Sequence, residues 1–373
     1  MKSNKNELFW CSNCLAMSTR PRITFDKDKK CSACNWNESK KEIDWVERQN
    51  ELTQIIETQK NKDKPYDCLI PVSGGKDGSY VSYMVRNKYN LNPLCVTIKP
   101  PLSSEIGMQN LHNFIENGYD HVTISPSKSG MKKLNKCGFI EMGFPYYGWL
   151  ISIHTAVLKI AIHYNIDLII YGEDGELEYG GSGETAFKPF YNADYSKRIY
   201  LEGGYSKIIN SCKLSKGEKY FFEFPQLDTE LKNIKITHWS YFENWDPYRN
   251  YLTAKKYCGL KENYNSNSGT FTNFSQTDQY LYPLHSYLMF LKFGFGRANQ
   301  DACIEIRRGA MDRDQAINLV KLYDGQFPEE FLEIYLDYYE MEEDHFFDII
   351  DKWANKSILK KEGRYWKPNF EII

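Results

Sequence analysis

Two short stretches carry residues whose types and spacing suit chemistry. The first is Ser73-Gly74-Gly75-Lys76-Asp77-Gly78-Ser79. It joins an apolar run (Cys68, Leu69, Ile70, Val72) to a segment in which Tyr80, Val81, Met84 and Val85 recur at helical spacing. A strand feeding a helix through such a turn leaves backbone N–H groups unpaired at the positive end of the helix dipole, a setting suited to phosphate. Glycine is required because a Cβ would block the anion and the turn's backbone angles. The turn is neither a Gly-x-x-x-x-Gly-Lys-Ser/Thr loop nor a Gly-x-Gly-x-x-Gly fingerprint. The second stretch holds Cys11, Cys14, Cys31 and Cys34, a Cys-x-x-Cys pair written twice across a short polar linker. That is the spacing of a tetrahedral four-thiolate zinc site, closed and therefore structural. A segment this small has little core, so metal binding is expected to supply its folding energy. Arg22–Phe25, followed by Asp26-Lys27-Asp28-Lys29, reads as a strand and turn between the pairs.

The elements that must position these groups follow in order. Residues 1–40 read as the ribbon, and 41–64 as an amphipathic connecting helix closed by Pro65. Residues 65–190 read as an α/β domain with strands at Leu94–Ile98, Val122–Ile124 and Asp167–Tyr171 and helices at Glu105–Glu116 and Gly148–Tyr164. Such alternation predicts a parallel sheet covered on both faces, with ligands at the carboxyl ends of its strands. The strand at Leu168–Tyr171 runs directly into Gly172-Glu173-Asp174-Gly175-Glu176-Leu177-Glu178-Tyr179-Gly180-Gly181. Carboxylates there are expected beside the phosphate turn, with Glu173 and Glu178 the candidates to orient a divalent cation carried with a bound phosphate.

Residues 191–373 read as a mostly helical substrate or lid region. Helices are expected at Leu284–Phe293 after Pro283, at Asp301–Arg308, at Asp312–Tyr323 between an Asp312 cap and a Gly325 stop, and at Met341–Trp353. Lys292, Arg297 and His285 are the ligand-contact candidates there; Arg307 and Arg308 are expected at the surface or in ion pairs.

The bulk numbers narrow the class. A chain of 373 residues has room for two or three domains. Its 47 Lys and Arg against 49 Asp and Glu, net −2, argue against a large nucleic-acid footprint. The opening MKSNKNELFW lacks the apolar core of a signal peptide, and no stretch is long enough to span a bilayer. Ten cysteines, four in metal-type pairs and the rest scattered, fit a reducing cytoplasm.

The turn resembles the Ser-Gly-Gly-x-Asp-Ser-Ser/Thr signature of the PP-loop ATPases, with Gly78 standing where that class has a hydroxyl. More of the chain follows one pattern: the four-Cys ribbon, Ile43-Asp44-Trp45, Ile70–Asp77, Gly172-Glu173, Glu178–Gly181, Lys292–Ala298, Asp301-Ala302, Glu305–Arg307 and Tyr323–Gly325. In this it is similar to the N-acetyl sugar amidotransferases of the bacterial PseA/WbpG type, which serve surface-polysaccharide and flagellin-glycan pathways. The resemblance implies a PP-loop (adenine nucleotide α-hydrolase-like) fold and an ATP-dependent conversion of an acetamido group to acetamidino, through an adenylate, with release of AMP and pyrophosphate. It further implies that Ser73, Gly74, Gly75, Lys76, Asp77, Gly78 and Ser79 hold phosphates and that Lys76, Asp77, Glu173 and Glu178 serve the chemistry. Lys292, Arg297 and His285 would then meet a sugar such as pseudaminic or legionaminic acid, whose carboxylate an arginine can clamp. No Gly-x-Cys-x-Gly turn marks a built-in glutaminase, so ammonia is expected from a separate partner or from solution. Two other readings share the turn and the ribbon: a PP-loop tRNA-thiolating enzyme, and a non-catalytic zinc-ribbon scaffold in a glycan pathway.

Overall fold

The computed structural model describes residues 8–60, 64–225 and 233–372. At its centre lies a five-stranded parallel sheet of β1 (Cys68–Pro71), β2 (Pro93–Ile98), β3 (His121–Ile124), β4 (Leu168–Tyr171) and β5 (Lys235–His238), in the order β3-β2-β1-β4-β5. Register follows the apolar pattern, with Leu69 opposite Leu94 on one side and Ile169 on the other. Strand residues alternate between faces with period two. Leu69, Leu94, Val96, Ile98 and Ile169 face one core with α6 (Tyr147–His163), while Cys68, Ile70, Cys95, Leu168 and Ile170 face another. The second core is closed by α2 (Trp45–Lys60), α3 (Lys76–Asn87) and Phe114 of α4 (Glu105–Glu116). Helix α6 is apolar on nearly every side because the sheet and the C-terminal helices both pack on it.

The strand order reverses between β1 and β4, and crevices that take ligands in open α/β sheets lie at such reversals. The loops after β1 and β4 are the phosphate turn and the acidic stretch, so topology alone makes them neighbours.

Several elements differ from the sequence reading. Strand β5 falls within the region read as mostly helical, so the sheet draws its edge from beyond residue 190. Helix α5 (Lys128–Met142), which the sequence left without assignment, begins at a Ser127 cap and ends at Gly143 in the left-handed region. The ribbon has no extended strand at Arg22–Phe25; single bridges pair Trp10 with Met17 and Phe25 with Cys31. In the C-terminal region the helix expected at Leu284–Phe293 spans Leu281–Phe293 and contains Pro283 in its first turn, where a missing N–H breaks no helical bond. The next spans Arg297–Arg307 and starts earlier than expected, because Asp324 accepts hydrogen bonds from the N–H groups of Gly296 and Ala298 at 2.8 and 2.9 Å. Helices Arg313–Tyr323, capped by Asp312, and Glu343–Trp353 follow the reading closely. An antiparallel hairpin, β6 (Leu359–Glu362) and β7 (Tyr365–Pro368), closes the described chain. Cys137 and Cys212, scattered in sequence, are brought side by side where α5 packs beside helix Tyr205–Ser211. Among the described residues no helix is long and apolar enough to cross a membrane.

Candidate active site and metal centre

The phosphate turn is built by close backbone packing. Gly74 has φ +79°, and a Cβ there would stand 2.4 Å from Leu111 N on α4. Gly75 caps α3 in an extended conformation without a side-chain hydrogen bond, leaving the first-turn amides of α3 without helical acceptors. Ser79 is fully buried, and its hydroxyl has no hydrogen-bond partner among the described residues; Asp77 Oδ1 is likewise unpartnered. The other Asp77 oxygen pairs with Lys76 Nζ at 2.5 Å. Gly78, the departure from the PP-loop signature, has a packing reason. Its Cβ would lie 3.0 Å from Pro71 O and 3.1 Å from Val72 Cα, so this position faces the end of β1.

The acidic stretch meets the turn directly. A Cβ on Gly172 would stand 3.1 Å from Asp77 Cβ. Glu173 feels Lys76, Asp77, Glu178 and Arg297; burial pushes its carboxyl up to about 7, the two acids adding to the rise and the two cations opposing it. The following residues form a short helix, α7 (Gly175–Tyr179), capped by Asp174. Glu178 is not free to face a ligand: its carboxylate accepts from Trp36 Nε1 at 3.2 Å and pairs with Lys40 Nζ at 2.5 Å.

Those partners belong to the N-terminal segment, which grips α7 from several sides. Arg22 makes a fork to both oxygens of Glu176, at 2.9 and 2.7 Å. Ser32 Oγ donates to Gly180 O at 2.8 Å, and Arg307 bonds Glu178 O at 2.7 Å while approaching Cys14 Sγ at 3.6 Å. Nothing in the cysteine spacing signals this bracket; Arg22, Trp36 and Lys40 carry no sign of it because their partners lie more than a hundred residues away.

The four cysteines converge. All are buried, and their sulfurs lie within 4.8 Å of one another, with Cys11–Cys34 at 3.8 Å and Cys14–Cys31 at 3.7 Å. A tetrahedral ion with Zn–S bonds of about 2.3 Å sets its sulfurs about 3.8 Å apart, so the donors fit zinc. Backbone N–H groups of Asn13, Ala16 and Cys31 point at sulfurs, as thiolates require. Hydrogen bonds to Cys11 and Cys14, and then burial, push Cys31 and Cys34 well up, which a bound cation would reverse.

The substrate candidates divide. Arg297 lies over Tyr179 at 5.7 Å and pairs with Asp301 at 2.7 Å, within electrostatic reach of Glu173. Lys292 is engaged elsewhere: Nζ donates to Met142 O and Gly143 O at the end of α5, and burial pushes it down to about 8. His285 packs on Phe144 and Tyr146 at 4.6 and 5.0 Å, and burial pushes it down to about 3, so it is neutral at ordinary pH.

Comparison with known proteins adds a likeness confined to the C-terminal region. Residues 268–371 match the model of the WbpG-like C-terminal domain of LPS biosynthesis proteins. This covers Lys292, Arg297 and the Asp324 turn. An uncharacterized protein of Methanocaldococcus jannaschii is 27% identical over 112 residues, 28% of this chain and 37% of that protein. The chain therefore aligns with little more than a third of that relative. Among solved structures, the U34-tRNA thiolase NcsA of Methanococcus maripaludis with its [4Fe-4S] cluster is similar at a TM-score of 0.33 and 14% identity, over 81% of this chain and 86% of that one.

Proposed function

We propose that the protein is an ATP-dependent amidotransferase of bacterial surface-glycan synthesis, converting a sugar's acetamido group to acetamidino. The observation that carries this reading is the pair of buried, unpartnered oxygens, Ser79 Oγ and Asp77 Oδ1, at the glycine-rich start of α3, opposite Glu173. The WbpG-like match of the C-terminal region supports the glycan setting.

An amide carbonyl is a poor electrophile, and its oxygen is a poor leaving group. In the proposed reaction that oxygen attacks the α-phosphorus of ATP, and pyrophosphate departs into the turn, where first-turn amides and Lys76 offset its charge. Ammonia then adds to the activated carbon and AMP leaves with the oxygen, giving the amidine. Mg²⁺ travelling with ATP would find carboxylate oxygens on Asp77 and Glu173. Glu173, with its raised carboxyl, is also placed to take the proton that the added ammonia must lose. Glu178 acts on this chemistry indirectly, by fixing α7. Ammonia is supplied by a separate glutaminase or from solution.

The test is product analysis with purified protein, ATP, ammonium and N-acetylated sugars of several classes. Sugar-dependent AMP together with a product lighter by one mass unit supports the proposal; ADP in place of AMP contradicts the cleavage site.

A further inference from the structure

A narrow crevice, open to about one water, lies between the cysteine ribbon and helix Arg297–Arg307, lined by Arg20, Tyr179, Phe295, Asn299, Gln300 and Arg307 among others. Arg20 lies over the Tyr179 ring at 5.5 Å and the Phe295 ring at 6.0 Å. Tyr179 carries Arg297 as well, and its phenol feels Glu173 and Asp77, so Arg20 stands one aromatic ring from the group around the phosphate turn.

The other cations of this neighbourhood have partners. Arg297 holds Asp301, Arg307 holds Glu178 O and Cys14 Sγ, Arg22 holds Glu176, and Lys40 holds Glu178. Arg20 Nε is buried without a hydrogen bond, and among the described residues no carboxylate pairs with it. Glu176, the acid it feels most, is already gripped by both nitrogens of the Arg22 fork. Arginine stays charged even when buried, and a planar guanidinium flanked by rings is shaped for carboxylate or phosphate oxygens. Arg20 is half-buried, with its Nε out of solvent and no acid among the described residues against it, so an anion entering here meets an uncompensated charge.

We propose that Arg20, with Gln300 beside it, binds an anionic group of the acceptor, a carboxylate or a phosphate. This rests on the amidotransferase reading for the word acceptor, while the anion preference itself is a binding property that does not need the reaction.

The experiment is calorimetric titration of the full-length, zinc-loaded protein with N-acetylneuraminic acid, its methyl ester, UDP-N-acetylglucosamine and N-acetylglucosamine, for wild type and Arg20→Gln. Wild type should bind the acid about tenfold tighter than the ester if the anion is a carboxylate, or the UDP-sugar about tenfold tighter than the free sugar if it is a phosphate. Arg20→Gln should erase that preference with zinc content and ATP affinity unchanged. The assignment is overturned if wild type shows neither preference, or if the variant keeps it. It also fails if the variant loses zinc, which makes Arg20 a counter-charge for the thiolates, or if only ATP affinity falls. Anion preference without AMP formation on any sugar keeps Arg20 and sinks the amidotransferase reading instead.

Discussion

The cysteine ribbon and the phosphate turn are both small-residue loops that gather polar groups, and they are finished to different degrees. In the ribbon, sulfurs accept N–H groups from Asn13, Ala16 and Cys31 and sit at the spacing of one tetrahedral ion. In the turn, Ser79 Oγ and Asp77 Oδ1 are buried without partners, and Gly75 caps α3 with no side chain. Buried polar groups are normally satisfied, and an exception calls for a reason, such as a water, an ion or a ligand that completes it. The ribbon is thus a fastening and, under the proposed function, the turn is a receptor, with α7 strapped between them by Arg22, Ser32, Trp36 and Lys40.

The largest expected effect breaks the fastening. Cys14→Ser removes one ligand of a site whose metal supplies roughly 10 kcal/mol or more in small zinc domains. Zinc should be lost, residues 8–40 should become sensitive to limited proteolysis, and AMP formation should disappear as α7 loses its bracket. A variant that retains stoichiometric zinc and full protease resistance shows that the ribbon folds without this thiolate.

Next comes the turn's backbone. Gly74→Ala places a methyl 2.4 Å from the α4 backbone at φ +79°. Left-handed strain and overpacking together should cost about 3 kcal/mol in urea unfolding, with zinc retained. An unchanged denaturation midpoint contradicts the close approach of the turn to α4.

Glu173→Gln separates chemistry from folding. Glu173 titrates near 7, raised by burial and by Asp77 and Glu178. Below that pH it is protonated and can neither accept a proton nor hold a cation, so wild-type turnover at constant free ammonia should rise between pH 6 and 8. The variant should lose that limb and about 100-fold of its rate. The same limb in both proteins assigns the titration to another group.

How much of this was legible beforehand depends on how local the signal is. The turn, the cysteine pairs, and strands β1, β2 and β4 are written in contiguous residues, and a parallel sheet then follows from alternation, though its strand order does not. Strand β5 was hidden because Lys235–His238 is short and follows a stretch without periodicity. Helix α5 carries Gly130 and Gly138, which look like breakers in sequence. In the fold they pack on Phe222 and Tyr147, too close for any side chain at Gly138. The bracket on α7 was invisible for a different reason. Glu178 looks like a site acid in sequence, and only tertiary structure shows Lys40 and Trp36 against it.

Ser79→Ala sharpens the contrast between fastening and receptor. Removing a buried hydroxyl that has no partner should leave stability unchanged or raise it by about 1 kcal/mol, while AMP formation falls about tenfold. Loss of stability without loss of turnover makes Ser79 a structural residue.

The smallest effect is expected at Gly78, where the PP-loop signature has a hydroxyl and this chain does not. If the missing hydroxyl were a missing phosphate contact, Gly78→Ser should improve ATP affinity. The geometry argues otherwise. The new Cβ meets Pro71 O at 3.0 Å, Val72 Cα at 3.1 Å and Val72 Cγ1 at 3.2 Å, all at the end of β1. The helix must therefore give by a few tenths of an ångström, against the helix-propensity gain of replacing glycine, worth about 0.5 kcal/mol. The two terms nearly cancel, so unfolding should shift by less than about 1 kcal/mol and the KM for ATP by less than about twofold. A several-fold drop in that KM shows that a side chain here reaches the phosphates after all, and that the strand contact yields more readily than its distances imply.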